Sequence, residues 1–238
     1  MKAQAQAARA VLIFTKAFVW RIPILSRPLL SDQGHYMKIY YTPGTCSTAP
    51  RILLAEAGLN CEQEAVSFKT KQTASGADYL QINPNGYVPA LLLDDGTILT
   101  EVPAITQYIA DQAPAKKLAP ANGTLDRYKL QSWLNFIGTE LHKGGYSILF
   151  DRGAAEEWKD AARAKLAKRL AHVDAALADQ DYLLGSDFSA ADAYLFVNLG
   201  WSEHAHVDLS GFDNLKAFME RVAARPSVQS VKAMDAKK

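Results

Sequence analysis

The hydrophobic pattern of the chain changes its period once, near residue 118, and that change limits the folds open to it. Upstream, short β-type runs alternate with helical ones; downstream, no strand-like alternation survives. Lys38, Ile39, Tyr40 and Tyr41 form a β-type run closed by the turn signal Thr42-Pro43-Gly44. Residues 47–58 follow with Ile52, Leu53, Ala55 and Ala57, and Gly58 is placed to end that helix. Residues 62–68 alternate weakly, as a second strand, and residues 75–82 are a short helical candidate. Residues 88–93 and 97–99 flank Asp94-Asp95-Gly96, a hairpin with an Asp-Gly turn. A helix over 101–111 puts Ile105, Tyr108 and Ile109 on one face. The order β-α-β-α-β-β-α over roughly 80 residues is that of a layered α/β fold.

The second half reads as helices alone. Leu130, Leu134, Ile137 and Leu141 step by 4, 3 and 4, and Leu166, Leu170, Val173 and Leu177 do the same. Residues 189–203 and 212–224 supply two more helices, the first opened by Ser189 and Asp192 in a capping-box arrangement. The expected division is an α/β domain over 37–115 and an all-helical domain over 124–238, joined through 114–123.

Composition removes other classes. Two cysteines, Cys46 and Cys61, cannot build a disulfide framework. A formal net charge of +1 argues against nucleic acid as a partner. That charge is a composite: residues 1–36 hold five basic groups and one acid, while the remaining 202 residues carry a net −3. The leader's most apolar stretch, 11–20, is interrupted by Lys16 and stopped by Arg21 and Pro23, short of the ~20 apolar residues of a membrane span. It also lacks the small-residue cleavage site of a secretory signal. The favoured reading is an upstream start ahead of Met37, with a targeting segment as the alternative. Residues 1–36 are expected to pack poorly on the rest, and the protein to work in the cytoplasm, away from membranes.

Six pieces then occur in order from Met37 to about Pro226. They are Met37-Lys-Ile-Tyr-Tyr-Thr-Pro-Gly-Thr-Cys-Ser47, Asn83-Pro-Asn-Gly-Tyr-Val-Pro89, Leu99-Thr-Glu101, Trp133-Leu-Asn-Phe136, Glu140-Leu-His-Lys143 and Ser189-Ala-Ala-Asp-Ala-Tyr-Leu-Phe196. Together they resemble a bacterial beta-class glutathione S-transferase. The resemblance implies a thioredoxin-like N-terminal domain, an all-α C-terminal domain, a homodimer, and glutathione as co-substrate with no prosthetic group. The implied reaction is conjugation of glutathione to small hydrophobic electrophiles, with a thiol–disulfide capability at Cys46. The alternative is a non-catalytic glutathione or hydrophobic-ligand binder, or a stress-linked interaction protein, of the same fold.

Residue by residue, the resemblance assigns catalytic roles to Cys46, His142, Lys143 and Asn135. It assigns glutathione contacts to Lys71, Val88, Pro89, Glu101 and Val102. Cys46 falls at or just before a helix start, where unpaired N–H groups and the helix dipole are expected to lower a thiol's pKa; the alternative is an inert small residue. Pro89 is expected to be cis, so that Val88 presents its backbone to an extended ligand, or else is an ordinary strand-entry proline. Glu101 would open a helix and take an ammonium, or be a solvated first-turn acid. Lys71 would take a glycyl carboxylate. Asn135 and His142, seven apart, are expected on one helical face, with Lys143 on an adjacent one. Tyr41 matches a tyrosine that other classes use for the thiol, and is read as a spectator.

Two features depart from the family: Val102 where a Ser or Gly is usual, and Gly144-Gly145 where one glycine is usual, which would alter the loop into the substrate site. Tyr146, Phe150 and Trp201 are candidates for an apolar acceptor pocket, or for core. His204 and His206, two apart on a helix, do not make a metal site, and none is expected.

Overall fold

The computed structural model describes residues 36–236; the leader, apart from Tyr36, lies outside them, and with it the expectation about its packing. A four-stranded mixed sheet comes first, with spatial order β2-β1-β3-β4. Its strands are β1 (Lys38–Tyr41), β2 (Glu62–Ala65), β3 (Ala90–Leu92) and β4 (Ile98–Thr100). β1 runs parallel to β2 and antiparallel to β3, and β3 and β4 form the antiparallel hairpin that the Asp-Gly turn predicts. Gly96 takes φ 87 in that turn, a left-handed conformation that suits glycine.

Strand alternation sorts the two faces. Ile39 and Leu91 point to the face covered by α1 (Thr48–Ala57) and α2 (Val102–Gln112), where Ile52, Leu53, Ile105 and Ile109 are buried with them. Tyr40 and Ala90 point the other way, onto Tyr79, Val66 and Val88. Gly58 ends α1 in the left-handed conformation, as its place in the sequence predicts.

The helical half holds α3 (Leu125–Phe136), α4 (Ser147–Phe150), α5 (Glu156–Ala176), α6 (Ala190–Leu199), α7 (Asp213–Ala223) and α8 (Pro226–Ala236). Both four-residue apolar series are buried. Every residue of α6 is buried, the pattern of a helix enclosed on all sides, and it packs against α1 and α3. Asp192 closes the cap of α6: its carboxylate accepts from the Ser189 N–H and hydroxyl at 2.8 and 2.6 Å, and from the Leu183 N–H at 2.8 Å. The fold is thus a thioredoxin-like N-terminal domain followed by a helical C-terminal domain.

Two forked ion pairs bind the halves together. Arg127 of α3 holds both oxygens of Asp111 on α2, at 2.8 and 2.7 Å. Arg225, before α8, holds both oxygens of Glu56 on α1, at 2.6 and 2.9 Å. Bidentate geometry of this kind fixes orientation as well as distance.

The structure corrects several element assignments. Residues 75–82 hold a single 3₁₀ turn, Tyr79–Gln81, because Gly76 at φ 90 and short bridges from Val66 to Thr73 and Gln72 to Asp78 shape the segment as a turn. β2 stops at Ala65, and α6 stops at Leu199, so His204 and His206 lie in a turn beyond it rather than on a helix. α8 has no counterpart in the sequence reading. The largest correction falls between α3 and α4. There is no loop at Gly144-Gly145; residues Ile137–Tyr146 continue the helix in a wider winding, bonded i→i+5.

Candidate active site

A cleft of about 440 Å³ lies between the two domains. One wall comes from the sheet domain: Cys46 in the β1–α1 connection, residues of the 83–89 loop, and the β4–α2 junction around Glu101. The other comes from Leu134, Asn135, Gly138, Thr139, His142 and Lys143, with Tyr194 of α6 behind them. Eight of the predicted residues therefore meet in one place: Cys46, Val88, Pro89, Glu101, Val102, Asn135, His142 and Lys143.

The wide winding explains how the helical wall is built. In an α-helix a step of four residues drifts by about 40°, so three successive pairs four apart would spiral out of the cleft. Leu134/Asn135, Gly138/Thr139 and His142/Lys143 all line it instead. A wider i→i+5 turn drifts the other way, so passing from the α winding of α3 into it holds steps of four close to register. Gly144 and Gly145 belong to that winding. A Cβ on Gly144 would sit 2.6 Å from the Thr139 carbonyl oxygen, five residues back, and one on Gly145 would sit 3.3 Å from the Glu140 oxygen.

On the opposite wall the 83–89 loop is pinned from within. The Tyr87 carbonyl accepts from the Tyr79 hydroxyl at 2.7 Å and from Asn83 Nδ2 at 2.8 Å. The Val88–Pro89 bond is cis, as expected. Glu101 stands at φ 70, a left-handed conformation unfavourable for a side-chain-bearing residue by ~1–3 kcal/mol. Its carbonyl accepts the Ala104 and Ile105 N–H groups, at 3.1 and 2.9 Å, and its exposed carboxylate lines the cleft beside the start of α2. Val102 is buried and its side chain supplies no donor, and with Pro103 lacking an N–H the start of α2 offers the Val102 backbone N–H.

Cys46 departs from expectation. Its thiol donates to the Val88 carbonyl at 3.3 Å. Burial pushes it up to about 11; the Lys143 ammonium and the N–H groups of Cys46 and Ser47 oppose that rise without overcoming it, and Glu101 adds to it. Cys46 precedes Ser47, the N-cap residue of α1, and so stands just before the helix start. A thiol raised this far favours its protonated form at neutral pH.

His142 is held between neighbours. Nδ1 lies 2.7 Å from the Tyr194 hydroxyl, and the ring packs against Trp201 with centroids 4.9 Å apart. Burial, with Lys143 adding to it, lowers its pKa from 6.5 to about 4. Between those pH values the unfolded chain binds a proton that the folded chain refuses, so stability falls as pH drops through the window. An NMR titration should find the His142 ring neutral down to about pH 5; a midpoint near the ordinary ~6.5 would contradict its placement.

The remaining assignments fall away from the cleft. Lys71, at φ 55, gives its ammonium to the Gly86 carbonyl at 2.9 Å and is not in the lining. Tyr146 is fully buried, its hydroxyl 2.6 Å from Ser202 Oγ, which makes it core rather than pocket wall. Trp201 donates Nε1–H to the Gly44 carbonyl at 2.9 Å, steadying the turn ahead of Cys46, and Phe150 packs on its outer edge. Tyr41 is buried under the Arg51 guanidinium, 3.8 Å from the ring centroid, in keeping with a spectator.

Sequence reasoning gave no role to Tyr87 or Tyr194. Tyr87 is exposed at the cleft, with the Lys143 ammonium 4.9 Å from its ring centroid. Both lie inside the quoted motifs, which is the signal that would have found them. Among the described residues no group of His, Cys, Asp and Glu could hold a metal ion, and no helix is long and apolar enough to cross a membrane.

Comparison with known proteins agrees with this geometry. The N-terminal domain model of glutathione S-transferases matches residues 35–111, and the C-terminal domain model matches 156–221. The glutathione S-transferase GstA of Escherichia coli O157:H7 is 46% identical over 193 residues, which is 81% of this chain and 96% of that one. A ternary complex of BphK, a bacterial glutathione S-transferase, superposes with a TM-score of 0.82 at 54% identity, covering 84% of this chain and 99% of that chain. A sphingomonad glutathione S-transferase complexed with glutathione gives 0.81 at 43% identity, covering 84% of this chain and all (100%) of that chain. The chain belongs to the glutathione S-transferase family, and it is also similar to a bacterial beta-class glutathione S-transferase of Sphingomonas chungbukensis, at 45% identity and a TM-score of 0.80, covering 83% of this chain and 98% of that one.

Proposed function

We propose that the cleft binds glutathione and conjugates it to a small hydrophobic electrophile. The observation that carries this reading is the meeting, in one cleft, of four kinds of recognition group. Glu101 offers a carboxylate to the γ-glutamyl ammonium. The Val102 N–H, at the start of α2, offers a donor to the neighbouring carboxylate, since Pro103 has none and Ala104 and Ile105 donate to the Glu101 carbonyl. Val88 offers backbone to the extended peptide, in the manner of a strand edge. Cys46, Asn135, His142 and Lys143 surround the place left for the sulfur, with Lys143 the cation in reach of a thiolate.

In conjugation the attacking nucleophile is glutathione's own sulfur, and Cys46, its pKa raised by burial, acts first as a neutral neighbour of it. Its second capacity is slower. A thiolate at Cys46, once formed, attacks oxidised glutathione, making a mixed disulfide and releasing one glutathione thiolate. The electrophile would rest against Tyr87, Pro103 and Leu134 rather than the buried Tyr146. The two free thiols suit a reducing cytoplasm. Assembly as a homodimer rests on the resemblance to the family.

Turnover of reduced glutathione with a nitroaryl halide tests the main reading. The expected result is a conjugation rate that saturates in glutathione and falls at least tenfold in Glu101→Ala. Glutathione binding without any turnover would instead favour a non-catalytic carrier of the same fold.

A further inference from the structure

The Tyr194 hydroxyl, which lines the cleft, makes its contact with another cleft residue, His142. It sits 2.7 Å from His142 Nδ1, and its hydroxyl hydrogen has no other hydrogen-bond acceptor among the described residues. Gly138 faces the same tyrosine, and a Cβ there would lie 3.8 Å from its hydroxyl, at ordinary contact distance. A phenol has a single hydrogen to give. With Nδ1 as its acceptor, the shared hydrogen belongs to the tyrosine, and Nδ1 presents its lone pair. A neutral imidazole carries one N–H, so the ring's hydrogen is then on Nε2.

We infer that Tyr194 is a positioning residue, which fixes His142 in the Nε2–H tautomer so that the ring presents a hydrogen-bond donor to the sulfur site. The inference rests on the proposed reading of the cleft for its purpose, but its structural half stands on the free protein. Three contacts hold the ring in place: the Tyr194 hydroxyl at one edge, the Tyr194 ring edge-on with centroids 6.0 Å apart, and Trp201 across its face. Trp201 is itself anchored to the Gly44 carbonyl. A ring clamped this way cannot turn over to offer its other nitrogen without breaking the short hydrogen bond. Burial favours the neutral forms of both partners, raising the phenol's pKa and lowering the imidazole's. The other ionisable groups facing the pair are Cys46, Glu101 and Lys143.

A neutral donor suits the chemistry. It stabilises a sulfur anion as it forms without competing for its proton, whereas an imidazole with a bare lone pair toward the sulfur would repel it. Tyr194 then contributes through His142 and not by its own contact with the sulfur.

The test has two arms. Nitrogen-15 NMR of the ligand-free wild type should give the Nε2–H signature for His142, and Tyr194→Phe should change it. Nδ1 protonated in the wild type, or shifts unmoved in the variant, would overturn the inference whatever the enzyme's activity. In the kinetic arm, Tyr194→Phe should lower kcat about tenfold and leave the KM for glutathione within about twofold. His142→Gln keeps a terminal N–H donor near the Nε2 position, so Tyr194→Phe added to it should cost nothing further. A full additional loss in that double variant would show the tyrosine acting on the sulfur directly and would also overturn the inference. Absence of glutathione turnover in the wild type would defeat the proposed function, while the NMR arm still decides the tautomer.

Discussion

Gly144→Ala is expected to destabilise the protein, against the ordinary rule that alanine in a helix is better than glycine by about 1 kcal/mol. The added methyl would meet the Thr139 carbonyl oxygen at 2.6 Å. That oxygen is backbone, held in the helix, and cannot swing aside as a side-chain tip would. Overpacking of this kind costs ~1–3 kcal/mol, which for a chain of this size lowers Tm by ~2–4 °C per kcal/mol. The control is in the same segment: a Cβ on Gly138 meets nothing closer than 3.8 Å, so Gly138→Ala should leave Tm unchanged or slightly raised. Thermal unfolding of the two variants separates the readings. A rise in Tm for Gly144→Ala would mean the segment winds as an ordinary α-helix in solution.

The same substitution should reach the cleft. His142 and Lys143 immediately precede Gly144, and both line the cleft because the helix there is wide. Relief of the clash by tightening the turn would rotate the pair out of line with Leu134 and Asn135. Gly144→Ala is therefore expected to lose at least tenfold in conjugation rate at a temperature where it remains folded, a rate measurement beside circular dichroism being sufficient.

Much of this was legible in the sequence because the relevant forces are local or periodic. Strand and helix order followed from hydrophobic period, the end of α1 from Gly58, the hairpin from Asp94-Asp95-Gly96, and the cap of α6 from Ser189 and Asp192. The eight residues that meet in the cleft were legible through resemblance, since only the fold brings position 46 against position 142. What escaped depended on three-dimensional surroundings. The i→i+5 winding leaves no period of its own in a segment of ten residues, and a glycine pair reads as a turn when its neighbours in space are unknown. The Cys46 pKa turned on burial, which spacing does not reveal. Lys71 has the right charge in the right place along the chain, yet the Gly86 carbonyl holds it. Tyr146 and Trp201 illustrate the same limit for aromatics, where core and pocket wall share one composition.

The family resemblance makes Cys46 reactive, whereas its buried environment favours the protonated thiol. Both hold if the residue lies in a glutathione site and its thiolate is scarce. Oxidised glutathione should then modify Cys46 alone. Cys61, whose thiol burial raises to about 12 and which lies outside the cleft, should stay free. The rate should climb nearly tenfold per pH unit from pH 7 to 10, following the thiolate fraction below a pKa of about 11. It should also level off with rising oxidised glutathione, the mark of binding before reaction. Intact-mass measurement of wild type and Cys46→Ala across that range reads all three. The expected result is one glutathionyl unit on the wild type, none on Cys46→Ala, and saturation at each pH; no adduct up to pH 10, or an equal adduct on Cys46→Ala, would contradict a glutathione site at Cys46.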